Sequence, residues 1–246
     1  MKMKSIRILI LVMLLIGMVL VPAVSAQKEN SITSDKPSEL EQGLIDALNS
    51  NTKGLSKDVV IANYCKANKD KISIPKNDTV SGKDNLRTYQ LKDGSAITFT
   101  NKSFFYISGL KEEANNEIVA KNINTAAGDS YTDMLTAYKQ FYSYPFGSLL
   151  FTIYAKGYYK YNGATVTAYY YDSWYTRGVA QIWQVSNWEE GGYNYDTHAL
   201  SEIYGRGNFH WGIEYQGVGW VIEDYLCTVK SQCDKNGNYQ FLYSRY

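Results

Sequence analysis

The stretch Leu149–Tyr171, LLFTIYAKGYYKYNGATVTAYYY, decides the fold class. Asn162-Gly163 at its centre is typical of a two-residue, type I′ hairpin turn. Such a turn places Tyr161 opposite Ala164 and fixes every pair further out, since the two strands then run antiparallel from a known starting point. Because successive side chains of a strand point to opposite sides, each residue is assigned to one of two faces.

One of the two faces is apolar and is expected to face the core. It contains Phe151, Ile153, Ala155, Gly157, Tyr159, Tyr161, Ala164, Val166, Ala168 and Tyr170. The opposite face contains Tyr154, Lys156, Tyr158 and Lys160 on the first strand and Thr165, Thr167, Tyr169 and Tyr171 on the second. A lysine between rings can lay its stem on them and keep its ammonium in water. We therefore expect a ligand-binding surface made of Tyr154, Lys156, Tyr158, Tyr169 and Tyr171.

Further strand patterns follow this hairpin. Residues 179–188 predict a buried strand, 189–201 predict a polar loop, and clean alternation of apolar and polar residues returns from Arg206. Gly217-Val218 predicts a turn into the next strand, and 234–237 predict a turn into the last one. About six antiparallel strands with short connections predict a β-sandwich or a partly closed β-barrel.

The part of the chain before this region is built differently. Residues 27–109 predict a small α+β domain, because two amphipathic helical patterns precede three short strands near 86–92, 95–100 and 103–107. This domain is a candidate for a removable pro-segment. The helical faces carry Leu40, Leu44, Ile45 and Leu48, and then Val60, Ile61, Tyr64 and Cys65.

The boundary between the two parts is expected at a polar connector, residues 110–130. Twenty of the 23 tyrosines and all five tryptophans lie at or beyond Tyr131. A separate aromatic-rich β-domain is therefore predicted over 131–246. Its first segment, Tyr131–Tyr142, has apolar residues at helical spacing and is predicted to be a helix closed by Pro145.

The first 26 residues have the order of a secretory signal peptide. Three basic residues precede an apolar run, and Val24-Ser25-Ala26 forms a small-residue cleavage pattern. The protein is therefore expected to be secreted and extracellular. Removal of residues 1–26 leaves 22 basic and 24 acidic residues, a formal charge of −2, which argues against nucleic acid as a partner.

Three cysteines, Cys65, Cys227 and Cys233, allow at most one intramolecular disulfide. A continuous strand through Cys227 and Cys233 is incompatible with a bond between them, because six extended residues span about 20 Å and a disulfide needs Cα atoms about 5.5 Å apart. Neither His198 nor His210 stands at a metal-ligand spacing from these cysteines. No metal and no cofactor are expected.

One pair of carboxylates resembles an enzyme site. With Gly217-Val218 as the loop, Glu214 lies opposite Val221 and Glu223 opposite Gly212, so the two become diagonal neighbours on one face. Retaining glycosidases use two carboxyl groups about 5 to 5.5 Å apart. A solvated strand face shows the same polar alternation, so Glu214 and Glu223 are only alternative catalytic candidates.

The expected function follows from elimination and from the aromatic content. We expect a secreted, non-enzymatic effector that binds a cell-envelope component, whether lipid, glycan or surface protein, and a bacteriocin-like antimicrobial is favoured. Tyrosine and tryptophan suit such a contact, since each joins a large apolar body to a polar tip. The alternatives are a secreted glycan-binding module or adhesin, and a glycoside hydrolase that uses Glu214 and Glu223.

Overall fold

A computed structural model describes residues 36–71, 86–114, 128–144, 146–178, 183–215 and 218–242; for 211–215 and 218–223 it describes the backbone only. The described residues all belong to one compact unit. The expected signal peptide, residues 1–26, lies outside the described residues.

The described residues form two helices followed by eleven strands. The helices are α1 (Glu39–Asn49) and α2 (Lys57–Ala67). The strands are β1 (Arg87–Gln90), β2 (Ala96–Phe99), β3 (Phe104–Glu113), β4 (Ser130–Tyr131), β5 (Met134–Ser143), β6 (Leu149–Tyr161), β7 (Val166–Arg177), β8 (Trp183–Asn194), β9 (Leu200–Tyr215), β10 (Val218–Asp234) and β11 (Tyr239–Phe241).

The strands form two antiparallel sheets that are not closed into a barrel. The first sheet has the order β1-β2-β3-β5-β6, and both β4 and β7 pair with β6. The second sheet has the order β11-β10-β9-β8. The architecture is β-sandwich-like, as one of the two predicted alternatives stated.

The core between the sheets is rich in aromatic residues. Phe151 stacks on Phe141 at a centroid distance of 4.4 Å and on Phe209 of the second sheet at 4.2 Å. The predicted core face is confirmed for Phe151, Ile153, Ala155, Tyr159 and Val166, which are buried, and for Tyr161 and Ala168, which pack partly buried against them. It is wrong for Ala164 and Tyr170, which are exposed.

The two helices cover part of the outer face of the first sheet. Ser38 begins α1 with a reciprocal pair of hydrogen bonds to Glu41, an arrangement that satisfies backbone groups otherwise unpaired at a helix start. The predicted inward positions are confirmed for Leu44, Ile45, Ile61 and Cys65, which are buried against β1, β2, β3 and β5, and for Leu40, Leu48 and Tyr64, which pack partly buried against them. Val60 is only half-buried. This second core extends to Tyr154 of β6, which packs at its edge.

The predicted division into two domains is corrected by the sheet. β3 pairs with β5 over ten positions, from Phe104 opposite Ser143 to Glu113 opposite Met134. The strands predicted for 27–109 therefore share one sheet with strands of 131–246, and Lys111 to Glu113 of the expected connector are the end of β3. The polar residues mark an exposed strand end. Residues 115–127 lie outside the described residues.

The predicted helix over Tyr131–Tyr142 is wrong, because Met134–Ser143 is strand β5. This central strand is covered by the second sheet on one side and by the helices on the other, so both faces are buried. A strand buried on both faces loses the alternation that identifies strands. Its apolar residues then fit a helical spacing by coincidence.

The hairpin between β6 and β7 has a loop of four residues, 162–165, instead of the predicted two. The Asn162 side-chain oxygen accepts from the backbone nitrogens of Ala164 (3.0 Å) and Thr165 (2.8 Å). Gly163, with φ +82°, also donates its N–H to the carbonyl of Lys235 at 2.8 Å. Tyr161 consequently lies opposite Val166, a shift of two that leaves each residue near the loop on its predicted face.

Strand β8 of the second sheet differs from the prediction: of its described residues before 189, Trp183 alone is buried, although a buried strand was predicted over 179–188. β8 continues to Asn194, so most of the loop predicted over 189–201 is strand, and the pairing shifts between Ser186 and Glu189. Asn187 has a φ of 51° at this irregularity. β10 runs continuously through Cys227 and Cys233, and both thiols are free and buried.

Candidate functional site: an aromatic face on the first sheet

The outer face of the first sheet continues beyond the helices over β4, β6 and β7. We call this surface the aromatic face and define it by its rings. They are Tyr131, Tyr154, Tyr158, Tyr169, Tyr171 and Trp174. Tyr154 is at the border with the helix-covered core, and Tyr171 is 64% exposed.

The first element of the aromatic face is a cross-strand pair of tyrosines. Tyr158 and Tyr169 are direct partners in the β6–β7 ladder, and their rings stack in parallel with centroids 4.9 Å apart and planes 1° apart. The predicted register had paired Tyr158 with Thr167, so the four-residue loop is what brings the two rings together. The ring of Tyr131, on β4, lies 6.2 Å from that of Tyr158.

The second element is a pair that the sequence did not reveal. Tyr154 lies opposite Trp174, and their rings stack at 4.7 Å. The sequence had paired Tyr154 with Tyr171, but the register shifts where Lys156 meets Asp172 and Gly157 meets Tyr170, which leaves Tyr171 as the extra residue of a bulge. A bulge reverses which residues share a face beyond it. Trp174 therefore joins the aromatic face.

The lysines of this face are held by carboxylates from neighbouring strands and turns. Lys156 Nζ lies 2.8 Å from Glu113 Oε2 and 5.8 Å from the centroid of the Tyr171 ring. Lys160 Nζ lies 2.9 Å from Asp129 Oδ2. The hydrogen bonds lower the pKa of Glu113 and of Asp129, since each stabilises the ionised carboxyl group. Each ammonium charge is thereby balanced by a neighbouring carboxylate.

The predicted carboxylate pair falls in a different register from the one expected. Glu214 is paired with Gly219 and Glu223 with Trp211, and the ladder shifts between Val221 and Glu223. Trp211, the partner of Glu223, is three residues from Glu214 along β9, which corresponds to about 10 Å of strand. In the predicted register the partner of Glu223 was two residues from Glu214. The side chains of both glutamates lie outside the described residues, so the catalytic pair stays a prediction.

Cys227 and His210 are not direct partners in the β9–β10 ladder. His210 is paired with Asp224 and Cys227 with Gly207, three positions further along the ladder. Burial raises the pKa of the Cys227 thiol to about 12, and a thiol that stays protonated is a poor nucleophile. Within the described residues, no group of three or more His, Cys, Asp or Glu side chains is placed to hold a metal ion.

A buried lysine is the titratable group that sequence reasoning missed. Lys139 of β5 is 4% exposed, and its Nζ lies 4.8 Å from the centroid of the Tyr106 ring. It lines a cavity of about 10 Å³ together with Phe141 and Cys227, a volume that suits one water molecule. Loss of hydration lowers the pKa of Lys139 to about 8. The helical misassignment of 131–142 hid this residue, because it gave Lys139 no inward position.

Comparisons with known proteins assign no family to this architecture. Among the described residues, neither helix has the length and apolar character needed to cross a membrane. No protein-family model matches the chain, and neither a curated protein nor a solved structure matches it.

Proposed function

We propose that this protein is a secreted, non-enzymatic effector that binds a component of the cell envelope through the aromatic face, and that this component is an uncharged glycan. The observation that carries the proposal is the pair of stacked ring sets, Tyr158 with Tyr169 and Tyr154 with Trp174, on the outer face of the first sheet.

The rings support a sugar ligand through their charge distribution. An aromatic ring is electron-rich on its face, and the C–H bonds on the flat side of a sugar carry the complementary partial positive charge. Tyrosine hydroxyls add donors and acceptors for the sugar's own hydroxyl groups. Tyr154 and Tyr158 stand on β6, whose alternate residues Ile153, Ala155 and Tyr159 are fully buried, and their partners Trp174 and Tyr169 stand on β7, which pairs with β6. Binding therefore does not have to order a loop, which lowers its entropic cost.

The ion pairs support an uncharged ligand over an anionic membrane. Lys156 and Lys160 would attract lipid headgroups if their charges were unopposed, but Glu113 and Asp129 balance them. An anionic surface would have to separate each pair and would then meet the carboxylates. A neutral glycan can bond to both members of each pair without separating them.

A sedimentation assay tests the proposal. Purified protein is mixed with insoluble peptidoglycan, chitin and cellulose, and separately with phosphatidylcholine vesicles with and without phosphatidylglycerol. We expect the protein to sediment with at least one polysaccharide and to stay in solution with both kinds of vesicle. Sedimentation with no polysaccharide, or with the anionic vesicles alone, overturns the proposal.

Paired variants locate the binding surface. Tyr158→Ser with Tyr169→Ser is expected to reduce binding at least tenfold, while the unfolding free energy falls by about 1 to 2 kcal/mol, less than the 3 to 5 kcal/mol of a large core truncation. The matched control is Tyr193→Ser, because Tyr193 is 50% exposed on the second sheet. Unchanged binding in the folded double variant contradicts the assignment of this face.

A bacteriocin-like killing activity stays a prediction that depends on such binding. Growth inhibition by the purified protein tests it, and the double variant at Tyr158 and Tyr169 is the control. A protein that binds glycan without inhibiting growth is a binding module or adhesin.

A further inference from the structure

The spacing of the ring pairs defines the length and shape of the ligand. We propose that the aromatic face binds an extended, uncharged, β-1,4-linked polysaccharide that lies along β6 and contacts both ring pairs at once. This inference rests on the proposed function and adds the linkage and the minimum length of the chain.

The minimum length follows from the strand. Tyr154 and Tyr158 are four residues apart on β6, which corresponds to about 13 Å of strand. Each belongs to one stacked pair, with Trp174 and with Tyr169 respectively. In each pair one face of each ring is covered by the other ring, so a ligand contacts the remaining faces and the ring edges. A ligand that reaches one pair alone uses half of these contacts. A chain long enough to reach both gains the second contact without a second loss of overall motional freedom.

The shape follows from the linear arrangement of the contacts. The two pairs follow one another along the β6–β7 ladder. The exposed ring of Tyr171 and the ammonium of Lys156 lie between them, with Lys156 Nζ 5.8 Å from the centroid of the Tyr171 ring. In a β-1,4-linked glucose or N-acetylglucosamine chain both linking bonds are equatorial, so the chain is straight and its successive rings present flat sides. An α-1,4-linked chain has an axial bond at each link and coils. A straight row of rings on a sheet matches the former.

Polar groups between the ring pairs suit sugar hydroxyls. Lys156 has three N–H donors, and Glu113 accepts one of them. The Glu113 side chain is 57% exposed, so its carboxylate remains accessible to a ligand hydroxyl. A neutral chain crossing this position can accept from the ammonium and donate to the carboxylate while the ion pair stays intact.

Calorimetric titration with defined oligosaccharides tests the inference. The probes are cello-oligosaccharides and N-acetyl-chito-oligosaccharides from dimer to hexamer, with maltohexaose as the α-linked comparison. In at least one β-linked series, we expect the hexamer to bind at least tenfold more tightly than the dimer. We expect maltohexaose to bind at least tenfold more weakly than that hexamer.

Single variants test whether two separate contacts produce the length dependence. Trp174→Ser and Tyr169→Ser each leave one ring pair incomplete, so each is expected to remove the gain between dimer and hexamer while Tyr193→Ser retains it. The Tyr169 variant decides the matter if the Trp174 variant does not fold, since Tyr169 is 39% exposed.

The outcomes separate this inference from the function on which it rests. One outcome overturns the extended β-linked ligand and keeps the glycan-binding function. In it, the double variant at Tyr158 and Tyr169 loses affinity, but the original protein binds dimer and hexamer equally, or binds maltohexaose as tightly as the β-linked hexamer. The inference is also overturned if the protein binds neither of the two β-linked series. Failure to sediment with any polysaccharide overturns the function itself.

Discussion

Replacing Lys139 with methionine is expected to stabilise the protein, in a way that depends on pH. Lys139 is 4% exposed, and among the residues that the structure describes none forms an ion pair with it. Methionine keeps a long, unbranched side chain without the charge. Replacing a buried charge by an apolar group of similar volume is often neutral or stabilising.

The magnitude follows from the pKa. Burial lowers the pKa of Lys139 from 10.5 to about 8, which corresponds to about 3 kcal/mol of lost stability when the amine is protonated in both states. Below pH 8 the full cost is present. Between about pH 8 and 10.5 the unfolded chain binds the proton and the folded chain does not, so stability rises with pH as this cost disappears.

Urea unfolding of both proteins at pH 7, 8.5 and 10, under reducing conditions, measures the effect. Lys139→Met is expected to exceed the original protein by about 3 kcal/mol at pH 7, and the difference is expected to shrink towards pH 10. Titration of Cys227 and the buried tyrosines affects both proteins, so the comparison largely cancels it. Lys111→Met is the control, because Lys111 is exposed on the neighbouring strand β3. This account of Lys139 is refuted if Lys139→Met is no more stable than the original protein at pH 7, or if the difference in unfolding free energy between the two proteins does not change with pH.

Four further predictions test the fold and the remaining expectations. Cleavage at a protease site inserted after Asn122 should leave two fragments that co-elute in gel filtration, because β3 and β5 pair over ten positions; separation of the fragments would restore the two-domain interpretation. Gly178→Ala should lower the unfolding free energy by several kcal/mol, since the new Cβ would overlap the backbone carbonyl oxygen of Leu149, and a normal urea midpoint would contradict this packing. Glu214→Gln and Glu223→Gln should leave polysaccharide binding unchanged, and release of reducing sugar that either change abolishes would establish the hydrolase alternative. The secreted species should begin at Gln27 within a residue or two by intact mass, and retention of the first 26 residues would contradict export by a cleaved signal peptide.

Local patterns in the sequence predicted the elements whose signals are local. Alternation along Leu149–Tyr161 identified β6 and its buried side, because the period of two is a property of a single strand. The helical faces with Leu44 and Ile61 were equally clear, since each helix has one buried stripe. The free thiols of Cys227 and Cys233 agree with the continuous strand that the spacing allowed as one possibility.

Contacts between distant segments decided the rest. Both faces of β5 are buried by layers that come from elsewhere in the chain, which concealed the strand and its buried Lys139. The loop after Tyr161 has four residues and holds a hydrogen bond from Gly163 to Lys235, far along the chain. This register sets Tyr158 against Tyr169.

The composition of the aromatic face shows the same division. The sequence by itself placed tyrosines and lysines on one side of the β6–β7 hairpin. Only the tertiary structure brought Trp174 into the face, through the bulge at Tyr171, and supplied Glu113 from β3 to Lys156. Alternation is a local property of the backbone, whereas bulges and ion pairs between strands depend on how whole sheets bend and pack together.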